Sequence, residues 1–476
     1  MSSTFGSLTT VKLGIYAAQK GLDVTGNNIT NINTNGYTRQ RLDQVSLISG
    51  GSDRYHSQYN VRVGQGVLVN GVSQLRDPGL DISYRKSQAD VGSADSWLAG
   101  LKKLAGILDE VGKGDGEQDD GLILNQLNDL RDLINKANTN GIEGYDSLIR
   151  QSADTLCDLF NSAAKALAEL KTTFEGYLKQ DVDEINSILS QIQELNVAIR
   201  NSDIRGDEGL ELRDQRNLLL DELSQYMDLQ YENNADGTVT VTVNGQTVVS
   251  GSQYDKMELM ENPETGVVDL RWISSNESVN LTTGALKASV DYTNGRGPNL
   301  KNPGESTVKG FLYYQDKLNT FAQTLADTVN NIIPEVDENG EIKTDPATGE
   351  IVYRKLLGAY TVADDGSGHV VFDQPITADN LSISDEWSKD PSYIIFEKTE
   401  DGDADNEGKY ALALSQTLID GTHGFDSNGE VFQGTFLDYV KGYVSTLAED
   451  VSFAENRHTA ASTVSNSLQD SRDQVS

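Results

Sequence analysis

Residues 182–199 read VDEINSILSQIQELNVAI, and Val182, Ile185, Leu189, Ile192, Asn196 and Ile199 fall three and four apart. That spacing is one helical seam. The same texture runs back to about Ser147 and forward to about Asn201. A run of about 55 residues at ~1.5 Å each spans roughly 80 Å, a rod rather than the helix of an ordinary enzyme. Gly176 is the place where it could break.

Helical texture flanks this run. Trp97, Leu101, Leu104, Leu108 and Val111 share a face, and the Gly-rich acidic stretch 112–121 ends it. Further helices are expected at about 122–137, 209–227 and 306–332, the last carrying Phe311, Leu318, Phe321, Leu325 and Val329. Between them the pattern changes. Thr238–Val243 alternate ahead of Asn244-Gly245, the strongest short hairpin signal. Strand-like pieces continue to about 292, and residues 335–430 read as turn-rich β.

Both ends of the chain carry seams. Leu8, Val11, Ile15, Ala18, Leu22 and Ile29 form the first, which runs into the turn Asn27–Gly36. Asn and Gly tolerate left-handed backbone and end helices. Residues 37–80 then read as short strands, with Tyr59, Val61, Val63, Val67 and Val69 alternating. Leu437, Val440, Val444, Leu447 and Val451 form the second seam, whose register shifts through Val464, Leu468 and Val475. An isolated helix as long as the first seam is marginal in water. Both seams are therefore expected to be covered by other chains, with the first mobile in the monomer.

The fold class expected is α+β and multidomain. Both termini form an elongated helical bundle or coiled-coil rod, and β-rich outer domains are inserted into it. The expected units are 1–84 with 434–476, 85–228 with 306–332, 229–305, and an outer insertion at 335–432.

Composition narrows the function. A hydrophobic fraction of 37% with 7% aromatics suits elongated helices better than one thick core. The net charge of −35 repels phosphate backbones and argues against nucleic acid. Residues 1–86 run against that balance, with nine Lys/Arg, five Asp and no Glu. No stretch is apolar enough for membrane insertion, and no charged-then-apolar signal opens the chain.

Chemistry is sparse. His56, His369, His423 and His458 are scattered, and Cys157 stands alone within a helix. No catalytic, cofactor or metal site emerges from them. Asp401, Asp403 and Asp405 alternate like calcium ligands, but Asn406 and Leu412 stand where that loop needs Gly and Glu. Asp337–Glu341 reads as a hairpin turn, and Gly64-Gln65-Gly66 as a turn bordering a strand.

The stretch 25–40, TGNNITNINTNGYTRQ, resembles the N-terminal signature of flagellar rod, hook and hook-associated proteins, through Asn27, Asn28, Asn31, Asn33, Gly36 and Tyr37. Its extension through Arg39 and Gln40 is more like the FlgK family of hook-associated junction proteins. Residues 185–196 and 214–224 resemble that family's long helix and the helix after it. The resemblance covers about 1–330 and 431–476 and weakens at 335–430. It implies a structural subunit of the flagellum, exported without a cleaved signal and extracellular. The implied partners are copies of itself in a ring, the hook protein, and the second junction protein, FlgL. An export chaperone is implied too. The family usually continues with a Gly-Val-x-Leu-Asp-Glu-Glu block and a final apolar helix, whereas this sequence stops at Ser476. The coil partner of residues 8–29 and the chaperone's site are therefore expected to be missing from it. The other readings are a hook- or rod-type axial subunit, and an extracellular binding protein or enzyme carried in 335–432.

Overall fold

The computed structural model describes residues 4–47, 66–109, 111, 121–142, 144–337, 341–363, 366–395 and 405–475. Helix α1 (Thr4–Thr30) precedes an antiparallel hairpin of β1 (Gln40–Ser46) and β2 (Val67–Gln74), with a bulge at Asp43/Gln44. Helix α2 (Pro78–Leu108) has a clear start signal. Pro78 presets the first turn, and Asp77 Oδ1 accepts from the Gly79 N–H at 2.8 Å. Next come α3 (Leu122–Asn140), α4 (Asp146–Arg205) and α5 (Leu210–Tyr226). At 60 residues, α4 is about 90 Å long. It stops at Gly206, whose φ of +80° closes the last turn with its N–H on Asp203 and Ser202 carbonyls.

Six short strands follow. β3 (Gln230–Asn233), β4 (Val239–Val243), β5 (Gln246–Ser250) and β6 (Gln253–Tyr254) make one antiparallel sheet in that order. β7 (Met257–Glu261) and β8 (Val268–Trp272) pair separately. Val243 pairs with Gln246 across Asn244-Gly245, with φ of 44° and 86°, the tight hairpin its sequence calls for. Val239, Val241 and Val243 are buried while Thr240 and Thr242 are half-buried, so one face of the sheet lies in the core with α4.

The rest of the chain mixes helix and strand. It comprises α6 (Ala285–Thr293), α7 (Phe311–Val329), β9 (Leu357–Val362), β10 (Gly368–Val371), β11 (Leu381–Ile383), α8 (Asp385–Lys389), α9 (Asp405–Thr417), β12 (His423–Ser427), β13 (Glu430–Gly434) and α10 (Phe436–Val475). The fold is α+β and multidomain.

Two groups of buried hydrophobics hold it together. The first joins α2, α3, the first half of α4, α7, α9 and the start of α10, and takes in Leu357, Leu381 and Trp387 from within 335–432. Phe321 sits at its centre, edge-on to Phe160 at 5.0 Å and against Phe436 at 5.6 Å. The second joins the rest of α4, from Leu178, with α5 and the β3–β8 strands.

Three local readings change. Residues 285–293 are helix, not strand: Leu286, Val290 and Thr293 turn inward at helical spacing, a signal too short to stand out among Ser and Thr. Residues 405–417 are helix within a segment read as β, and bury Ala411 and Leu414 on the first core, with Leu418 following just past the helix end. Gly176 does not break α4, because tertiary packing on both sides outweighs its helix penalty of about 1 kcal/mol. The alternation at Tyr59–Val63, the Gly64-Gln65 turn, His56 and Asp401–Asp403 lie outside the described residues.

Candidate assembly interface

Helix α1 has two apolar faces, and the sequence seam is the outer one. Leu8, Val11, Ile15, Leu22 and Ile29 are 55–72% exposed, and Ala18 is exposed too. The inner face carries Leu13, Ala17, Gly21 and Val24, which are buried or half-buried. It faces the β1–β2 hairpin: Leu13 approaches Gly66, and Gly21 approaches Leu42. The three-four spacing of this inner face was visible in the sequence, but its small residues were overshadowed by the larger outer ones.

The signature turn is built on Asn28. Its Nδ2 donates to the Gln40 carbonyl at 2.9 Å, and its Oδ1 accepts from the Gln40 N–H at 2.9 Å. One side chain thus makes both bonds of a neighbouring strand, locking the end of α1 to the start of β1. The Tyr37 hydroxyl donates to the same Oδ1 at 2.8 Å. Burial, with Asp214 and Glu211 nearby, pushes Tyr37 above its ordinary value and keeps that proton on. Asn31 Nδ2 donates to Asn27 Oδ1 at 2.8 Å, while Asn27 Nδ2 donates to Gln40 Oε1 at 3.3 Å. Asn33 is exposed. Gly36 has φ +77° and lies against Leu218 of α5. Gly36→Ala is expected to cost about 1 kcal/mol in a denaturant titration, because an L side chain strains that backbone.

A buried ionic network ties this turn to three helices. Arg76 forks onto Asp81 with two 3.0 Å bonds, and the Thr38 N–H donates to Asp214 Oδ2 at 3.2 Å. Arg85 Nε donates to Asp221 Oδ1 at 2.7 Å. Arg472, near the end of α10, reaches both Asp81 at 2.9 Å and Asp221 at 2.7 Å, and lies 4.2 Å over the Tyr84 ring. Burial alone raises Asp81, but the hydrogen bond and charge of Arg76, with Arg472 and Arg85, hold it below its ordinary value. Beside the network, the turn, α5 and the end of α10 enclose an open groove of about 1210 Å³, with Ile29, Ile32, Leu80, Leu218 and Val475 in its walls.

The C-terminal seam is placed differently. Val440, Val444 and Leu447 are buried in this chain's own first core, Val451 is half-buried, and Leu437 is 37% exposed. This corrects the expectation that both seams await other chains. The aromatic cluster of Phe321, Phe436 and Tyr439 draws the start of α10 inward.

No chemistry gathers elsewhere among the described residues. No group of three or more His, Cys, Asp or Glu could hold a metal ion, and no helix is long and apolar enough to cross a membrane. His423 Nε2 lies 2.6 Å from the Thr417 carbonyl, and His458 lies 3.8 Å from Asp95. Cys157 is buried, and burial pushes its thiol up, away from the reactive thiolate.

Residues 117–345 match the family model described as the flagellar hook-associated protein FlgK helical domain. That stretch is similar to the helical domain of the FlgK family. Flagellar hook-associated protein 1 of Bacillus subtilis is 32% identical over 293 residues, covering 56% of this chain and 55% of that protein. Its namesake in Salmonella typhimurium is 27% identical over 248 residues, covering 50% and 41%. The chain thus spans about half the length of the curated relatives it matches. The structure of the flagellar hook junction protein FlgK from Burkholderia pseudomallei shares the fold, with a TM-score of 0.56 at 15% identity, and covers 83% of this chain and 100% of that one. The FlgK family model covers α3 to α7 and the β3–β8 strands in full, the part built on the long helix.

Proposed function

We propose that this chain is a structural subunit of the bacterial flagellum, set at the joint between hook and filament, and that it works by assembly rather than catalysis. The observation that carries the reading is the outer face of α1. A row of large aliphatic side chains stands in solvent on a helix whose inner face already has its partner. Apolar rows of that kind mark contact surfaces. The relatives are named flagellar hook-associated proteins, and one solved structure of this fold is titled a hook junction protein. On this reading the α1 row is covered in a ring of identical subunits. The hook protein lies on one side and the second junction protein, FlgL, on the other. The chain reaches the outside of the cell through the flagellar export channel, where an acidic surface keeps free subunits soluble.

Deletion of the gene tests this. Electron microscopy is expected to show hooks without filaments, with filament protein shed into the medium; hooks still bearing filaments would overturn the reading. A finer test uses Ile15→Asp with Leu22→Asp. Because both sites are exposed, monomer stability is expected to stay within about 0.5 kcal/mol of wild type. The variant is nevertheless expected to fail to restore filaments in the deletion strain.

A further inference from the structure

The 60 residues of α4 are shared between two cores, and the division falls at one point on the helix. Phe174 is its last residue in the first core and Leu178 its first in the second. Gly176 lies between them. It is exposed, and a Cβ built on it would meet no atom within 4 Å. Packing therefore does not demand a glycine there. Glycine in a helix interior is about 1 kcal/mol less favourable than alanine, so the helix is locally weakest at this point.

The crossing has a pivot and a strap. Tyr292 of α6 is buried in the first core, while Leu286 of the same helix belongs to the second. The Tyr292 ring packs 5.0 Å from Phe174, and its hydroxyl donates to the Gly100 carbonyl of α2 at 3.0 Å. On α4 itself, Lys171 reaches across the division. Its Nζ donates to the Gly266 carbonyl at 2.9 Å and lies 3.8 Å from Glu261, both in the β7–β8 hairpin of the second core. Glu175 holds the same ammonium at 2.8 Å.

From this arrangement we infer that the chain has a built-in hinge. Gly176 is the point at which the continuous α4 yields, Tyr292 is the pivot, and the Lys171 contact to the β7–β8 hairpin is a strap that limits opening. The two cores tilt as bodies about this point while each keeps its own packing. The hinge is a property of this chain alone and stands whether or not the subunit works at a flagellar joint.

Spin labels on the full chain test it. Lys136→Cys and Glu258→Cys place labels on exposed sites, one on each body, and Cys157 is buried against labelling. The distance distribution between them is expected to narrow in Gly176→Ala, with thermal stability unchanged or raised. It is expected to broaden in Lys171→Met, and to broaden in wild type as salt screens the strap. Equal widths in wild type and Gly176→Ala overturn the hinge. A narrowed Gly176→Ala with no change in Lys171→Met overturns the strap.

Discussion

Asn196→Ala is expected to destabilise the protein by about 3 kcal/mol, more than an average point substitution. Asn196 is fully buried on α4. Its Nδ2 donates to the Val239 carbonyl at 2.9 Å, and its Oδ1 accepts from the Val239 N–H at 2.9 Å. The same Oδ1 accepts from Arg216 Nη1 at 2.9 Å. Arg216 is buried too and otherwise holds the Gly237 carbonyl at 2.8 Å. Burial first, then the charge of Arg213, pushes Arg216 down to about 10, so it is still a cation at neutral pH. Alanine would leave the first residue of β4 unpaired at both polar groups, and a buried cation short of an acceptor. Each orphaned group costs about 1–3 kcal/mol, and the cation adds to that. Denaturant titration measures the loss, and faster hydrogen exchange at Val239 locates it. Asn196→Leu combined with Arg216→Met is expected to recover part of the loss, since removing both polar partners costs less than stranding one. A loss below about 1 kcal/mol in Asn196→Ala would sink this account.

How much of this was readable beforehand depended on where the partner lies. The α4 stripe is repeated so often that its helix was visible from periodicity, and Asn244-Gly245 marked its hairpin by backbone preference. Asn196 was seen only as a seam position. Its partners lie 20 and 43 residues away, and no local pattern points to them. The ionic network is less legible still: Thr38 finds Asp214 at a separation of 176 residues, and Arg472 finds Asp221 at 251. Charged residues scattered through an acidic chain look alike until the fold sorts the buried ones from the solvated ones. The α1 row was legible as a helix face, whereas its exposure was not. Periodicity shows that residues share a face and is silent on what covers it. For the same reason Val440, Val444 and Leu447, written in the same spacing, proved to be core.

Asp221→Ala is expected to cost about 3 kcal/mol and to free the end of α10. Asp221 holds two arginines from different helices, Arg85 of α2 and Arg472 of α10, each at 2.7 Å. Arg85 is only 2% exposed, so its charge cannot retreat to water. It keeps the Asn217 carbonyl at 3.3 Å and the Tyr231 ring 4.4 Å below, which places the loss at the low end for a broken buried pair. Arg472→Met is the matched control. It leaves Asp221 with Arg85 and Asp81 with Arg76, so every buried carboxylate keeps a partner and the cost is expected to be about 1 kcal/mol. Both variants are expected to speed hydrogen exchange across the last turns of α10, while only Asp221→Ala lowers the denaturation midpoint sharply. Equal losses would show that the α10 end, not the stranded Arg85, sets the energy. The network also fixes the acid response. Asp81 is held below its ordinary value in the folded state, so its stabilisation is complete above the unfolded value near pH 4 and is lost as pH falls through the lower folded one. Asp81→Asn is therefore expected to be less stable than wild type at neutral pH and to lose less on acidification below about pH 4.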